Sequence, residues 1–140
     1  MIILDTNVVS EPLKREPSTS VLEWLNAQDM QTLYLTAITV AELLSGVATL
    51  PMGKRRVELE KKVTEEILPL FEDRILSFDM RSAQNFAMLN AKAQASGNPI
   101  SFADCAIAAI AESHAFQIAT RNVKDFKGTG VGILNPWDLH

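Results

Sequence analysis

The chain of 140 residues carries a formal net charge of −4 and a sequence pI near 5.1, which excludes a protein that coats nucleic acid by bulk positive charge but not one that meets a phosphodiester at a local site. Hydrophobic residues at 47% and charged residues at 21% match ordinary globular composition, which excludes long disordered segments and predicts a single domain over residues 1–140. The only cysteine, Cys105, excludes a disulfide framework and a Cys-rich zinc site and fits the reducing cytoplasm. The opening MIILDTNVVSE has no basic leader and its apolar run stops at Asp5, so neither a signal peptide nor a membrane span is expected.

Residues 1–4 form a short isoleucine-rich run, predicted as a strand buried on both faces, that ends abruptly in Asp5, Thr6 and Asn7. Asp5 is therefore expected at the carboxyl end of a central strand, the edge where open α/β sheets bind ligands. The competing reading is an N-cap for the short segment that follows. Ser18 or Thr19 opens a helix with Val21, Leu22, Trp24 and Leu25 inward, and residues 33–36 read as a second strand. The helix after it places Thr39 and Glu42 at capping-box spacing. Glu42 is thus a second acid at the start of an apolar helix that follows a strand.

Pro51, Met52 and Gly53 break the chain before a charged amphipathic helix whose predicted apolar stripe is Val57, Leu59, Val63, Ile67 and Leu68, ended by Pro69. Residues 74–78 read as a third strand. Asp79 caps the next helix, with Ala83, Phe86, Ala87, Leu89, Asn90 and Ala93 on its inner side and Gly97 at its C′ position. Ser101 then caps a helix with no charge between Asp104 and Glu112, the pattern of a helix buried all round. Asp104 stands at the mouth of that buried element, where it either caps or serves a site. Residues 116–119 are a fourth strand that runs into the polar turn of Thr120, Arg121, Asn122, Val123, Lys124, Asp125 and Phe126, and residues 131–134 are a fifth. His114 and His140 have no partner at ligand spacing and read as ordinary surface or capping residues.

The alternation predicts a mainly parallel sheet of about five strands with helices on both faces. Asp5, Glu42, Asp104 and Asp125 would then share the carboxyl edge, with Thr6, Asn7, Thr120 and Asn122 beside them. Packed carboxylates repel unless a cation joins them, and oxygen donors without His or Cys suit Mg²⁺ or Mn²⁺. Hydrolysis of a phosphodiester is the reaction such a site performs most readily. The basic groups Lys54, Arg55, Arg56, Arg121, Lys124 and Lys127 are available to guide a nucleic-acid backbone.

MIILDTNVVSE, AELLSG around Glu42, SFADCAIAAIA around Asp104, ATRNVKDF and the ending GILNPW together resemble a PIN-domain protein of the VapC toxin type over nearly the whole chain. The resemblance implies a three-layer PIN-like nuclease domain and a cytoplasmic ribonuclease, dependent on Mg²⁺ or Mn²⁺, that leaves 5′-phosphate and 3′-hydroxyl ends. It also implies a homodimer and a cognate antitoxin, through which alone the protein meets DNA. Position by position, Asp5, Glu42 and Asp104 match the three firm metal-binding acids, and Asp125 a less uniform fourth whose role Asn122 can share or take over. Thr6 and Thr120 match supporting positions. An aspartyl-nucleophile phosphatase is disfavoured because it expects a second acid where Asn7 stands. An alternative from another class is a catalytically quiet PIN-type partner of a DNA-binding antitoxin in transcriptional regulation. Four unrelated helix caps with no common site is the plainest alternative.

Overall fold

The computed structural model describes residues 1–138, so His140 lies outside the described residues. β1 (Ile2–Leu4) runs into α1 (Thr6–Ser10), capped by Asp5, and a 3₁₀ turn, Glu11–Leu13. α2 (Thr19–Ala27), capped by Ser18, leads through a 3₁₀ turn to β2 (Leu33–Thr36) and α3 (Ala37–Ala48). α4 (Lys54–Lys61) continues into one π-helical stretch, Lys62–Ile67, and a 3₁₀ turn, Leu68–Phe71, before β3 (Ile75–Leu76). α5 (Met80–Ala95), α6 (Phe102–His114), β4 (Gln117–Ala119), α7 (Val123–Phe126), a 3₁₀ turn, Lys127–Thr129, and β5 (Ile133–Leu134) complete the chain.

All five strands are parallel, in the order β3-β2-β1-β4-β5. β1 is the central strand because its three residues are apolar on both faces, as a strand covered on both sides must be. Successive residues point to opposite faces. Ile3 and Ile118 pack with α6, Leu89 of α5 and Phe126 of α7, whereas Leu4, Leu33, Leu35 and Ala119 pack with α1, α2, α3 and Val63. The result is the expected three-layer arrangement.

α6 is the pillar of one layer. Cys105, Ala106, Ile107, Ala108, Ala109, Ile110 and Ala111 have no exposed surface, and the small side chains let α5 approach closely enough for Asn85 to donate to Ser113 Oγ at 3.0 Å. Gly97 follows α5 with φ +75°, the left-handed conformation that a Cβ disfavours, as its C′ position requires.

Several sequence-based details change. Thr36, not Thr39, caps α3: its extended backbone lets Oγ1 accept from Thr39 N at 3.1 Å, and Thr39 is buried inside the first turn. Glu42 therefore has no part in a capping box. Val57 is 65% exposed, because α4 turns that position outward before the π-helical stretch carries Val63 into the core. Ala87 faces solvent, and Phe102 is largely exposed, leaning on Phe86 at the entrance to α6. The polar turn after β4 contains the short helix α7, held by its buried Phe126. β3 has only two residues, since Arg74 ahead of it is turned inward to donate to the carbonyls of Leu33 and Leu70. His114 is exposed and its ring lies against Phe116. Among the described residues no helix is long and apolar enough to cross a membrane.

Candidate active site

Strand register builds the first half of the site. Leu4 is paired with Ala119, so the next residues, Asp5 and Thr120, come off adjacent strands side by side. Asp5 N donates to Ala119 O at 2.9 Å. Its carboxylate, in a residue only 3% exposed, accepts from Thr120 Oγ1 at 2.8 Å, Thr6 N at 2.8 Å and Asn7 Nδ2 at 3.3 Å. Asn7 in turn accepts from Arg121 N, and Thr120 Oγ1 from Asn122 N at 3.0 Å. This network ties the loop after β1 to the loop after β4.

Helix N-termini build the second half. Thr36 ends β2 at the same edge and starts α3, which carries Glu42 back over the loop after β1. There Glu42 Oε1 accepts from Thr6 Oγ1 at 2.6 Å, a length typical of a hydroxyl donating to a charged acceptor. Ser101 caps α6 by accepting from Asp104 N at 3.2 Å. Asp104 is thus in the first turn, with its own carboxylate aimed toward the corner. Asp125 sits on α7, exposed, one turn beyond Asn122.

The electrostatics show that these acids share one corner. The Asp104 carboxyl is pushed up to about 6 from its ordinary 3.8, first by burial and then by the negative charges of Asp5, Asp125 and Glu42, with the Ser101 hydroxyl opposing. Asp5 is also raised, chiefly by burial and less by Glu42, against the lowering effect of Thr120, Thr6 and Asn7. Both shifts mean that the corner disfavours the negative charge it gathers.

All eight residues singled out in the sequence are therefore brought to one region, four as acids and four as the polar frame. Among the described residues, however, no group of three His, Cys, Asp or Glu side chains is drawn together closely enough to hold a metal ion. The donor set still fits a hard divalent cation. It is all oxygen, it carries excess negative charge, and two of its acids, Asp5 and Asp104, are held toward protonation chiefly by burial and further by neighbouring negative charge, a penalty that a cation offsets. Binding would require the side chains to close in.

One feature of the corner is absent from any linear pattern. A cavity of about 710 Å³ opens beside it, lined by Asp104 and Asp125 and also by Lys92, which reaches it from the end of α5. A second, of about 340 Å³, lies on the other side of Glu42, walled by Leu43, Val47, Leu59 and Val63. Neither could be read from spacing, because each is made by helices far apart in the chain.

A parallel sheet in the order above with acids at its carboxyl edge defines an open α/β protein whose candidate site lies where such sheets bind ligands. The chain belongs to the PIN-domain family, whose model matches residues 2–131. Among characterised proteins it is similar to VapC ribonuclease Y4jK of Sinorhizobium fredii, with 48% identity over 138 residues and 99% of each chain covered. It is 44% identical over 137 residues to toxin FitB of Neisseria gonorrhoeae, covering 98% of this chain and 99% of that one. Its fold superposes on a chain of FitAB bound to an IR36 DNA fragment with a TM-score of 0.95 and 44% identity, over 100% of this chain and 98% of the other.

Proposed function

We propose that this chain is the toxin of a type II toxin–antitoxin pair, a single-domain endoribonuclease that hydrolyses RNA phosphodiesters with Mg²⁺ or Mn²⁺ in the cytoplasm. The observation that carries the reading is the convergence of Asp5, Glu42 and Asp125 on Asp104, whose carboxyl, raised first by burial, is pushed further up by all three of their charges. Four unrelated caps give no reason for acids from four separate segments to act on one another. The ribonuclease and toxin relatives supply the substrate class and the biological setting, and the FitAB complex on DNA supports an antitoxin partner that contacts DNA. A homodimer follows from the family resemblance.

Asp5 and Asp104 are assigned as the groups that hold the ion, with Glu42 binding it or orienting water and Asp125 or Asn122 completing the ring. When bound, the ion supplies a Lewis acid that acidifies water and offsets charge on the scissile phosphate. The chain's own residues do the rest. Thr120, Thr6 N and Asn7 fix both oxygens of Asp5, so one ligand is pre-oriented before anything binds. Thr6 holds Glu42 toward the same corner through a single hydrogen bond.

The test is cleavage of a mixed RNA pool by the purified chain, free of antitoxin, in Mg²⁺ or Mn²⁺. EDTA and Asp104→Asn serve as controls. Cutting that requires both the ion and Asp104 supports the proposal. A folded chain that captures its antitoxin on operator DNA but cuts no RNA under any ion overturns it in favour of a regulatory partner.

A further inference from the structure

The basic residues picked out in the sequence do not act together in the fold. Arg55 is spent on the carbonyl of Leu13, Arg56 on that of Leu50, and Arg121 lies over the Trp137 ring at 5.1 Å. Lys124 and Lys127 behave differently. They line the 710 Å³ cavity together with Lys92, while Asp104 and Asp125 line the same cavity. Lys92 rises from α5 on one wall; Lys124 and Lys127 come from α7 and the turn after it on the other. All three are exposed and make no ion pair among the described residues. Three unpaired cations therefore share a cavity with two carboxylates, and none comes within ion-pairing distance of them. A polyanion seated between the two walls would meet all three.

We propose that this cavity is the arm of the substrate groove that follows the RNA backbone away from the cleaved bond, with Lys92, Lys124 and Lys127 binding phosphates adjacent to the one at the acids. The proposal rests on the ribonuclease reading and adds the direction in which the strand leaves the corner. Lysines suit this task, since each is a point charge on a flexible stem that can meet phosphates of an irregular single strand without demanding one geometry. The apolar residues of the walls, Leu89 and Ile100, leave room for ribose and base contact without imposing a sequence.

The experiment is binding of a fluorescent single-stranded RNA 12-mer, as anisotropy in EDTA, by the full chain and by the triple variant Lys92→Gln/Lys124→Gln/Lys127→Gln over a salt series. A control triple, Lys54→Gln/Lys61→Gln/Lys62→Gln, removes the same charge from exposed positions that do not line the cavity. The cavity variant should bind about 10-fold to 100-fold more weakly, with a log K against log salt slope shallower by about 2, the value for three phosphate contacts to a single strand. The control should stay near the parent chain. In Mg²⁺ the cavity variant should raise KM while kcat changes by less than about threefold. The proposal is overturned by no RNA binding in the parent chain or by a cavity variant that matches parent or control. Binding in EDTA needs no catalysis, so loss of lysine-dependent binding and absence of cleavage are separate results: the first removes this arm, the second the ribonuclease reading.

Discussion

Asp5 and Asp104 meet in the same corner but are supported in opposite ways. Asp5 leaves the central strand, is almost wholly buried and has both oxygens fixed by three donors from two loops. Asp104 sits in the first turn of α6, half-exposed, and only the Ser101 side chain opposes the rise in its pKa. The first acid is positioned by the fold whether or not a cation is present. The second is placed by the fold but left electrostatically unsatisfied, so it has most to gain from one. A cluster built this way has one rigid ligand and one responsive ligand.

The largest effect should come from removing either charge. Asp5→Asn and Asp104→Asn should each lower cleavage by on the order of 10³-fold or more while the far-ultraviolet circular dichroism of the fold is retained. An active Asp5→Asn variant with unchanged metal dependence would remove that residue from the site. The difference between the two acids should appear next. Thr120→Val strips the shortest side-chain support from Asp5 inside the core, and should cost about 1–3 kcal/mol of stability and about 10-fold to 100-fold in cleavage. Ser101→Ala should cost about 1 kcal/mol as a lost helix cap and change cleavage far less, because Asp104 remains free to turn toward a cation.

The pH dependence sharpens the same contrast. A carboxyl raised in the folded state binds its proton more tightly folded than unfolded, so its contribution is fully present below its ordinary 3.8 and is lost as pH rises through about 6. In EDTA, Asp104→Asn should therefore match the parent chain near pH 4 and exceed it in melting temperature above pH 6. Added Mn²⁺ should narrow the gap by stabilising only the parent. A constant difference across that range would show that neither burial nor the neighbouring charges raise the Asp104 carboxyl. The smallest effect is expected at Glu42, whose one bond to Thr6 is exposed: Thr6→Val should reduce cleavage by only a few-fold, read as initial rate at saturating ion.

Much of this corner was legible in the chain because it lies where local rules are strong. The strand ending in Asp5, the caps at Ser18, Asp79 and Ser101, and the buried run from Cys105 to Ala111 all follow from short-range periodicity and hydroxyl or carboxyl caps. The acids could be placed together because right-handed parallel crossovers bring every strand end to one edge. What failed had competing local solutions. Two threonines three residues apart, Thr36 and Thr39, were both eligible caps for α3, and only the path of β2 decides for Thr36. The π-helical stretch after α4 changes which residues face inward, and no residue type announces it. Lys92 was invisible as part of the site because its place depends on how α5 ends against the loop before α6, 32 residues before Lys124 in the chain.

The most direct test of the account is a calorimetric titration of the metal-free chain with Mn²⁺ at pH 7, repeated on Asp5→Asn and Asp104→Asn. One corner that holds the ion predicts saturable binding by the parent chain and a loss of about 10-fold or more in affinity in each variant. Equal affinity in all three proteins, or no binding by the folded parent, would contradict the claim that these acids form a metal-holding catalytic site.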